Sequence, residues 1–217
     1  YQVFIGVETG NKEIKHCLGK ASSVEDDIKA INYLKGFGFN ITYGFIMLNP
    51  WSEGLADILT NIETLKSLGS AGLDKYFSEL ILTPGTRAFR EADIKNNIYI
   101  EKVEGVDHYL YPLSTPLENV RQVGKYMLEH PKYKSFLEKI SSSYSQINEI
   151  SMNRDKNYAI KLRTELDQVN LDIFLMVISL IKDYQKVIDN HQIESLLSNI
   201  IQIFEPKLLL LDNQIHQ

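Results

Sequence analysis

Glu8 and Thr9 are the first residues of this chain at which side-chain chemistry and position in a fold coincide. They follow an apolar, β-prone run, Val3-Phe4-Ile5, and stand inside Gly6-Val7-Glu8-Thr9-Gly10-Asn11. Continuous hydrophobicity that stops at glycine and polar residues predicts a buried strand of a parallel sheet. Ligands of α/β sheets gather at the C-terminal edge of such strands. A carboxylate placed there can accept two hydrogen bonds from a ribose diol, with Thr9 and Asn11 as supporting donors or acceptors. The plain alternative is a strand followed by a turn, with Glu8 solvated.

Two further stretches offer polar groups at strand ends. The run Ile41 to Leu48 ends in Asn49-Pro50, which makes Asn49 a candidate to face a substrate. The run Tyr76 to Leu82 ends in Thr83-Pro84-Gly85-Thr86, a proline-then-glycine turn in which Thr86 caps a short helix carrying Arg87 and Arg90. Those arginines could meet a carboxylate or simply be solvated. The single Cys17 cannot build an iron–sulfur cluster site, which takes several cysteine thiolates. The five histidines show no ligand spacing, and neither a glycine-rich phosphate loop nor a GxSxG elbow is present.

The elements that must position these residues follow from periodicity. A short turn or helix at Lys12–Leu18 leads to Ser22-Ser23, set at capping-box spacing from Glu25-Asp26, so a helix starts near Val24. Ile28, Ile31, Leu34 and Phe37 keep the helical period, and Gly36 and Gly38 stop it. After the Ile41–Leu48 strand, Ser52 caps a helix with a core face of Leu55, Ile58, Leu59, Ile62 and Leu65. Strands near 2–7, 41–48 and 76–82 alternating with helices 24–36 and 53–68 spell an α/β fold with parallel pairing. Beyond a short helix at Arg87–Lys95 and a loop at Asn96-Asn97, Ile98–Val103 reads as a strand and Asp107–Pro116 as an aromatic connector. Helical patterns follow: Val120, Val123 and Met127 on one face, then helices near 132–149, 156–167, 169–189 and 192–203. Pro206–Gln217 is expected as a final turn or frayed tail.

Taken in order, "IGVETGN…LGK", "AINYLKGFGFNITYGFIMLNP" and "ELILTPGT" resemble the second half of a radical S-adenosylmethionine core, its fourth to sixth strands, closest in style to the cobalamin-dependent branches. The resemblance covers roughly residues 1–95 and implies the C-terminal half of a partial (β/α) TIM-like barrel. It divides the chain into residues 1–112, that half-barrel, and 113–217, a helical C-terminal extension. It implies S-adenosylmethionine as cofactor, a [4Fe–4S] cluster whose CxxxCxxC ligands lie upstream, and cobalamin in the branches that use it. In the family these supply a 5′-deoxyadenosyl radical that abstracts hydrogen from a substrate. The residues carried over are Glu8 on the ribose, Thr9 and Gly10 beside it, Phe45, Ile46 and Met47 along the adenine, and Thr83 at the closing loop. Asn49, Thr86 and Arg87 face the substrate in this reading, and Lys20 stands where the family often carries a lysine. The stretch Leu48-Asn49-Pro50-Trp51-Ser52-Glu53 departs from the pattern, since many members carry a glycine near its start and an acidic-Thr pair after the proline.

Composition bounds the alternatives. At 24% charged and 44% hydrophobic the chain is ordinary globular protein. A net charge of −5 lacks the basic footprint of nucleic-acid binding. One cysteine suits a reducing, cytoplasmic compartment, and no apolar run is long enough to span a bilayer. Tyr1 falls inside a strand, so the expectation is a fragment that is inactive alone and is completed by an N-terminal part of the same protein, with a small-molecule or peptide substrate. The rival class is a non-catalytic α/β module whose helical half is an interaction or oligomerisation surface.

Overall fold

The computed structural model describes residues 2–69, 71–94, 98–103, 105–153 and 155–216. The chain forms a mixed α/β structure, mostly helical, in two units: residues 1–68 with 78–118, and residues 69–77 with 119–217.

In the first unit, β1 (Gln2–Glu8) pairs in parallel with β2 (Asn40–Phe45), from Gln2 opposite Asn40 to Gly6 opposite Gly44. A bulge follows, so that Glu8 rather than Val7 faces Phe45. Two helices precede β2, α1 (Lys12–Cys17) and α2 (Val24–Gly36). Ser23 and Asp26 complete the reciprocal cap expected for α2, which satisfies two backbone donors that the first turn leaves open. Gly38, at φ 81°, supplies the left-handed turn after it. Ile31 is buried in the expected face, whereas Phe37 is exposed and stacks edge-on against Tyr33 at 4.8 Å. Helix α3 (Leu55–Leu68) buries Ile58, Ile62, Leu65 and Leu68. Leu59, one residue round from Ile58, turns outward, since adjacent helical positions lie about 100° apart.

The expected third strand takes another form. Tyr76 ends a short helix, α4 (Leu73–Tyr76), and Tyr76 and Phe77 belong to the second unit. From Ser78 the chain runs extended and touches the sheet at a single parallel bridge, Leu48 to Glu79. The Met47 and Leu48 amides donate to Ser78 O, and Leu80 N–H to Leu48 O. Leu82 then bridges to Tyr109. Thr86 caps α5 (Arg87–Ile94) as expected, its hydroxyl accepting from Phe89 N–H. Residues 95–97, expected as the end of that helix and a loop, lie outside the described residues. The strand expected at 98–103 is β3 (Tyr99–Val103), and the expected connector instead contains β4 (Val106–Leu110), its antiparallel partner. Val106 is exposed, whereas Tyr109 packs edge-on against Phe89 at 5.3 Å. Among the described residues the sheets are these two pairs.

The second unit is helical. It takes most of α6 (Thr115–Glu129), then α7 (Pro131–Asn153), α8 (Lys156–Ile181) and α9 (Asn190–Ile215). Val120, Val123 and Met127 form the buried face of α6 read from the sequence. Helix α8 is continuous where two helices were expected, and it ends at Ile181 rather than 189. Asn119 spans the following connection, with Nδ2 on Lys186 O and Oδ1 accepting from Ile188 N–H. Helix α9 passes through Pro206 to Ile215, correcting the expected frayed tail. Proline removes one helical hydrogen bond, but Phe204, Leu208, Leu211 and Ile215 keep one apolar stripe buried on both sides of it, and tertiary packing overrides propensity.

Candidate functional site

The C-terminal edge of β1 and β2 carries the polar groups that the sequence singles out. Glu8 sits on the bulge with φ 71°, the left-handed region that a side chain rarely occupies. Its carbonyl accepts from Ile46 N–H at 2.6 Å, which ties the bulge to the strand beside it. The carboxylate folds back over the sheet and receives Lys20 Nζ at 2.9 Å.

Glycines make that placement possible. Gly6 and Gly44 are register partners. A methyl group on Gly6 would collide with Glu8 Oε1 and stand 3.0 Å from Lys20 Nζ. One on Gly44 would lie 3.8 Å from Glu8 Oε2 and 3.0 Å from the Phe4 ring. Phe4, Gly6, Glu8 and Gly44 therefore share one sheet face, and it is open: Phe4 is 69% exposed. Val7, Tyr43 and Phe45 are buried on the other, as a period of two requires. The result is a shallow platform of bare backbone with an aromatic ring at one end and a carboxylate–ammonium pair at the other.

Thr9 and Gly10 play a different part. Thr9 is fully buried, and its hydroxyl donates to Asn61 Oδ1 at 3.0 Å. Gly10 N–H donates to the same oxygen at 2.8 Å, and Asn61 Nδ2 reaches Met47 O at 3.3 Å. Asn61, from the middle of α3, thus clamps the ends of both strands. Gly10 lies so close to Thr64 that a side chain there would meet its hydroxyl. Asn11 caps α1 with its side-chain oxygen and donates to Asp57. A buried ion pair, Lys15 with Asp27, fixes α1 on α2. Neither Asn61 nor Lys15 carries a spacing signal that marks it in the sequence.

The remaining candidates divide. Phe45 and Met47 are buried in the core, while Ile46 is half-buried against the cluster of Leu80, Leu82 and Tyr111. Tyr111 donates to Leu48 O at 2.8 Å and closes that cluster. Asn49 is fully buried: its oxygen accepts from the Trp51 and Ser52 amides and its Nδ2 donates to the Ser52 hydroxyl. Ser52 accordingly joins this turn rather than capping α3. Thr83, Thr86 and Arg87 are exposed, with Thr86 Oγ1 donating to Thr83 O at 2.8 Å and Arg87 3.8 Å from Glu91. Arg90 donates to Gly85 O at 2.9 Å.

Elsewhere, a cleft of about 400 Å³ between α7 and α9 is lined by Ser142, Gln146, Asp212 and His216 among others. Among the described residues no group of three His, Cys, Asp or Glu side chains could hold a metal ion. No helix there is long and apolar enough to cross a membrane.

The fold these elements define is similar to part of a solved structure, that of the cobalamin-dependent S-adenosylmethionine radical enzyme OxsB with aqua-cobalamin bound, at a TM-score of 0.61 over 96% of this chain and 37% of that one, with 16% identity. The apo form of OxsB gives a TM-score of 0.50 over 93% of this chain and 32% of that one, at 15% identity. In sequence, 65 residues are 32% identical to 4′-phospho-dehydrooxetanocin synthase of Priestia megaterium, spanning 30% of this chain and 9% of that protein. No protein-family model matches the chain. The resemblance carried by the sequence motifs thus extends to the fold, and this chain spans little more than a third of its structural relative's length.

Proposed function

We propose that this chain is the C-terminal portion of a radical S-adenosylmethionine enzyme, with β1, β2 and the extended chain from Ser78 forming the second half of a partial barrel. The observation that supports this most directly is the Glu8 carboxylate on an open sheet face over two glycines. A vicinal diol fits that arrangement: the carboxylate offers acceptors to both hydroxyls, and bare backbone at Gly6 and Gly44 leaves room for a sugar ring. Phe4 and Ile46 offer apolar surface beside it. When bound, S-adenosylmethionine and an iron–sulfur cluster supply the radical chemistry. The one cysteine, Cys17, cannot hold a cluster, so its ligands come from another part of the protein. Cobalamin, present in OxsB, is a further cofactor in this reading. Thr9, Gly10 and Asn49 hold the backbone in place, Thr83 stands on the exposed closing loop, and Thr86 and Arg87, at the start of α5, face a small-molecule or peptide substrate in this reading.

The test is calorimetric titration of the intact, cluster-loaded protein with S-adenosylmethionine. Charge-assisted hydrogen bonds contribute about 1.5–3 kcal/mol, so Glu8→Ala weakens binding roughly 10- to 150-fold. Glu8→Gln weakens it less, because the amide oxygen still accepts. Glu13→Ala, an exposed carboxylate on α1, leaves it unchanged. Equal affinity for wild type and Glu8→Ala would make Glu8 a turn residue and remove the proposal's main support.

A further inference from the structure

We propose that Lys20 is a positioning residue for Glu8, an inference that rests on the ribose-binding reading above. The two head groups meet at 2.9 Å directly over Gly6, and the pair is half open to solvent, the Lys20 side chain 39% and the Glu8 side chain 22% exposed. An ion pair that exposed contributes little to stability, yet its surroundings are built with care. Gly19 turns the chain at φ 81°. Lys20 N–H then donates to Lys15 O at 3.0 Å, and Lys15 is anchored through its ammonium to buried Asp27. The loop that delivers Lys20 is therefore tied to the core at its base.

The two carboxylate oxygens have different neighbours. Lys20 Nζ lies 2.9 Å from Oε1, while Oε2 is on the Gly44 side, 3.8 Å from where a Cβ on Gly44 would stand. A glutamate side chain has three rotatable bonds, and a ligand that must order it loses affinity for doing so. Lys20 orders it beforehand and leaves the carboxylate's remaining lone pairs, those of Oε2 among them, to accept from the diol. Gly6 is part of the same device, because any side chain there would occupy the space in which the pair forms.

The probe is 5′-methylthioadenosine, which has the ribose diol but lacks an amino-acid carboxylate that could bind lysine directly. Its affinity is measured for the intact protein and for Lys20→Met, Lys20→Arg, Glu8→Ala and the Lys20→Met/Glu8→Ala double variant. Lys20→Met weakens binding about 3- to 10-fold, in the range of coupled neighbours. Lys20→Arg recovers most of that loss. The double variant binds no more weakly than Glu8→Ala alone, since Lys20 acts through Glu8. Additive losses in the double variant, or wild-type affinity in Lys20→Met while Glu8→Ala is impaired, overturn the role of Lys20 and leave ribose binding intact. Wild-type affinity in Glu8→Ala overturns the ribose reading and this inference with it.

Discussion

The Thr9 hydroxyl and the Asn61 carboxamide oxygen meet at 3.0 Å, 52 residues apart in the chain and both fully buried. The same oxygen accepts Gly10 N–H, and the same side chain donates to Met47 O. One side chain thereby fixes the exit directions of β1 and β2, and with them the backbone that presents Glu8. Asn61→Leu keeps the volume but takes the acceptor from the buried Thr9 hydroxyl and the partly buried Gly10 N–H, which costs about 1–3 kcal/mol. The urea midpoint should fall by a corresponding amount at an unchanged slope. An unchanged midpoint would mean that the clamp contributes nothing.

Gly124 in α6 faces Phe77 so closely that a Cβ would sit 2.5 Å from the ring. Phe77 has nowhere to go, being buried and packed edge-on against Phe174 at 5.2 Å. Alanine ordinarily gains about 1 kcal/mol over glycine within a helix, whereas overpacking costs about 1–3 kcal/mol. Gly124→Ala should therefore lower the melting temperature by a few degrees despite the better helix former. A rise would show that Phe77 repacks freely.

Tyr126 donates to Glu194 at 2.7 Å in the helical unit. The hydrogen bond to this carboxylate leads the causes that push the phenol up to about 12. The same bond, followed by the charge of Lys132, holds the Glu194 carboxyl below its usual range. The raised phenol contributes stability that is complete below the unfolded value of about 10 and is lost as pH climbs toward 12. The lowered carboxyl contributes stability that is complete above about pH 4.3 and is lost as pH falls below it. The difference in melting temperature between wild type and Tyr126→Phe should form a plateau from about pH 5 to 9 and shrink on both sides. A difference that does not vary with pH would assign the effect to packing alone.

Much of this was legible where local and global signals agree. Ser23 and Asp26 mark the start of α2, and Val120, Val123 and Met127 mark the inner face of α6, because capping and periodicity depend only on near neighbours. Elements that depend on distant partners were not. Tyr76 and Phe77 read as the start of a strand, but Phe174, stacked on Tyr76 at 5.1 Å, draws both rings into the helical unit. Pro206 reads as a stop, yet the stripe from Phe204 to Ile215 carries α9 past it. At the site, Glu8 is visible as a carboxylate at a strand end. Its bulge, its left-handed backbone and its lysine partner arise only when β1 pairs with β2 and the α1 loop returns. Asn61 looks like any polar residue in a helix.

The nine residues from Gly69 to Phe77 leave the α/β unit, join the helical one, and give the chain back at Ser78. Neither unit is then a cassette. A cut after Glu118 would strand Tyr76 and Phe77 without the Phe174 ring and the Gly124 notch that receive them. It would also leave Phe174 without the two rings that pack on it. Gene fusions, exon-like exchange and domain-wise expression all assume a seam at one point on the chain. Here the seam crosses the chain three times, so no single cut separates the two units.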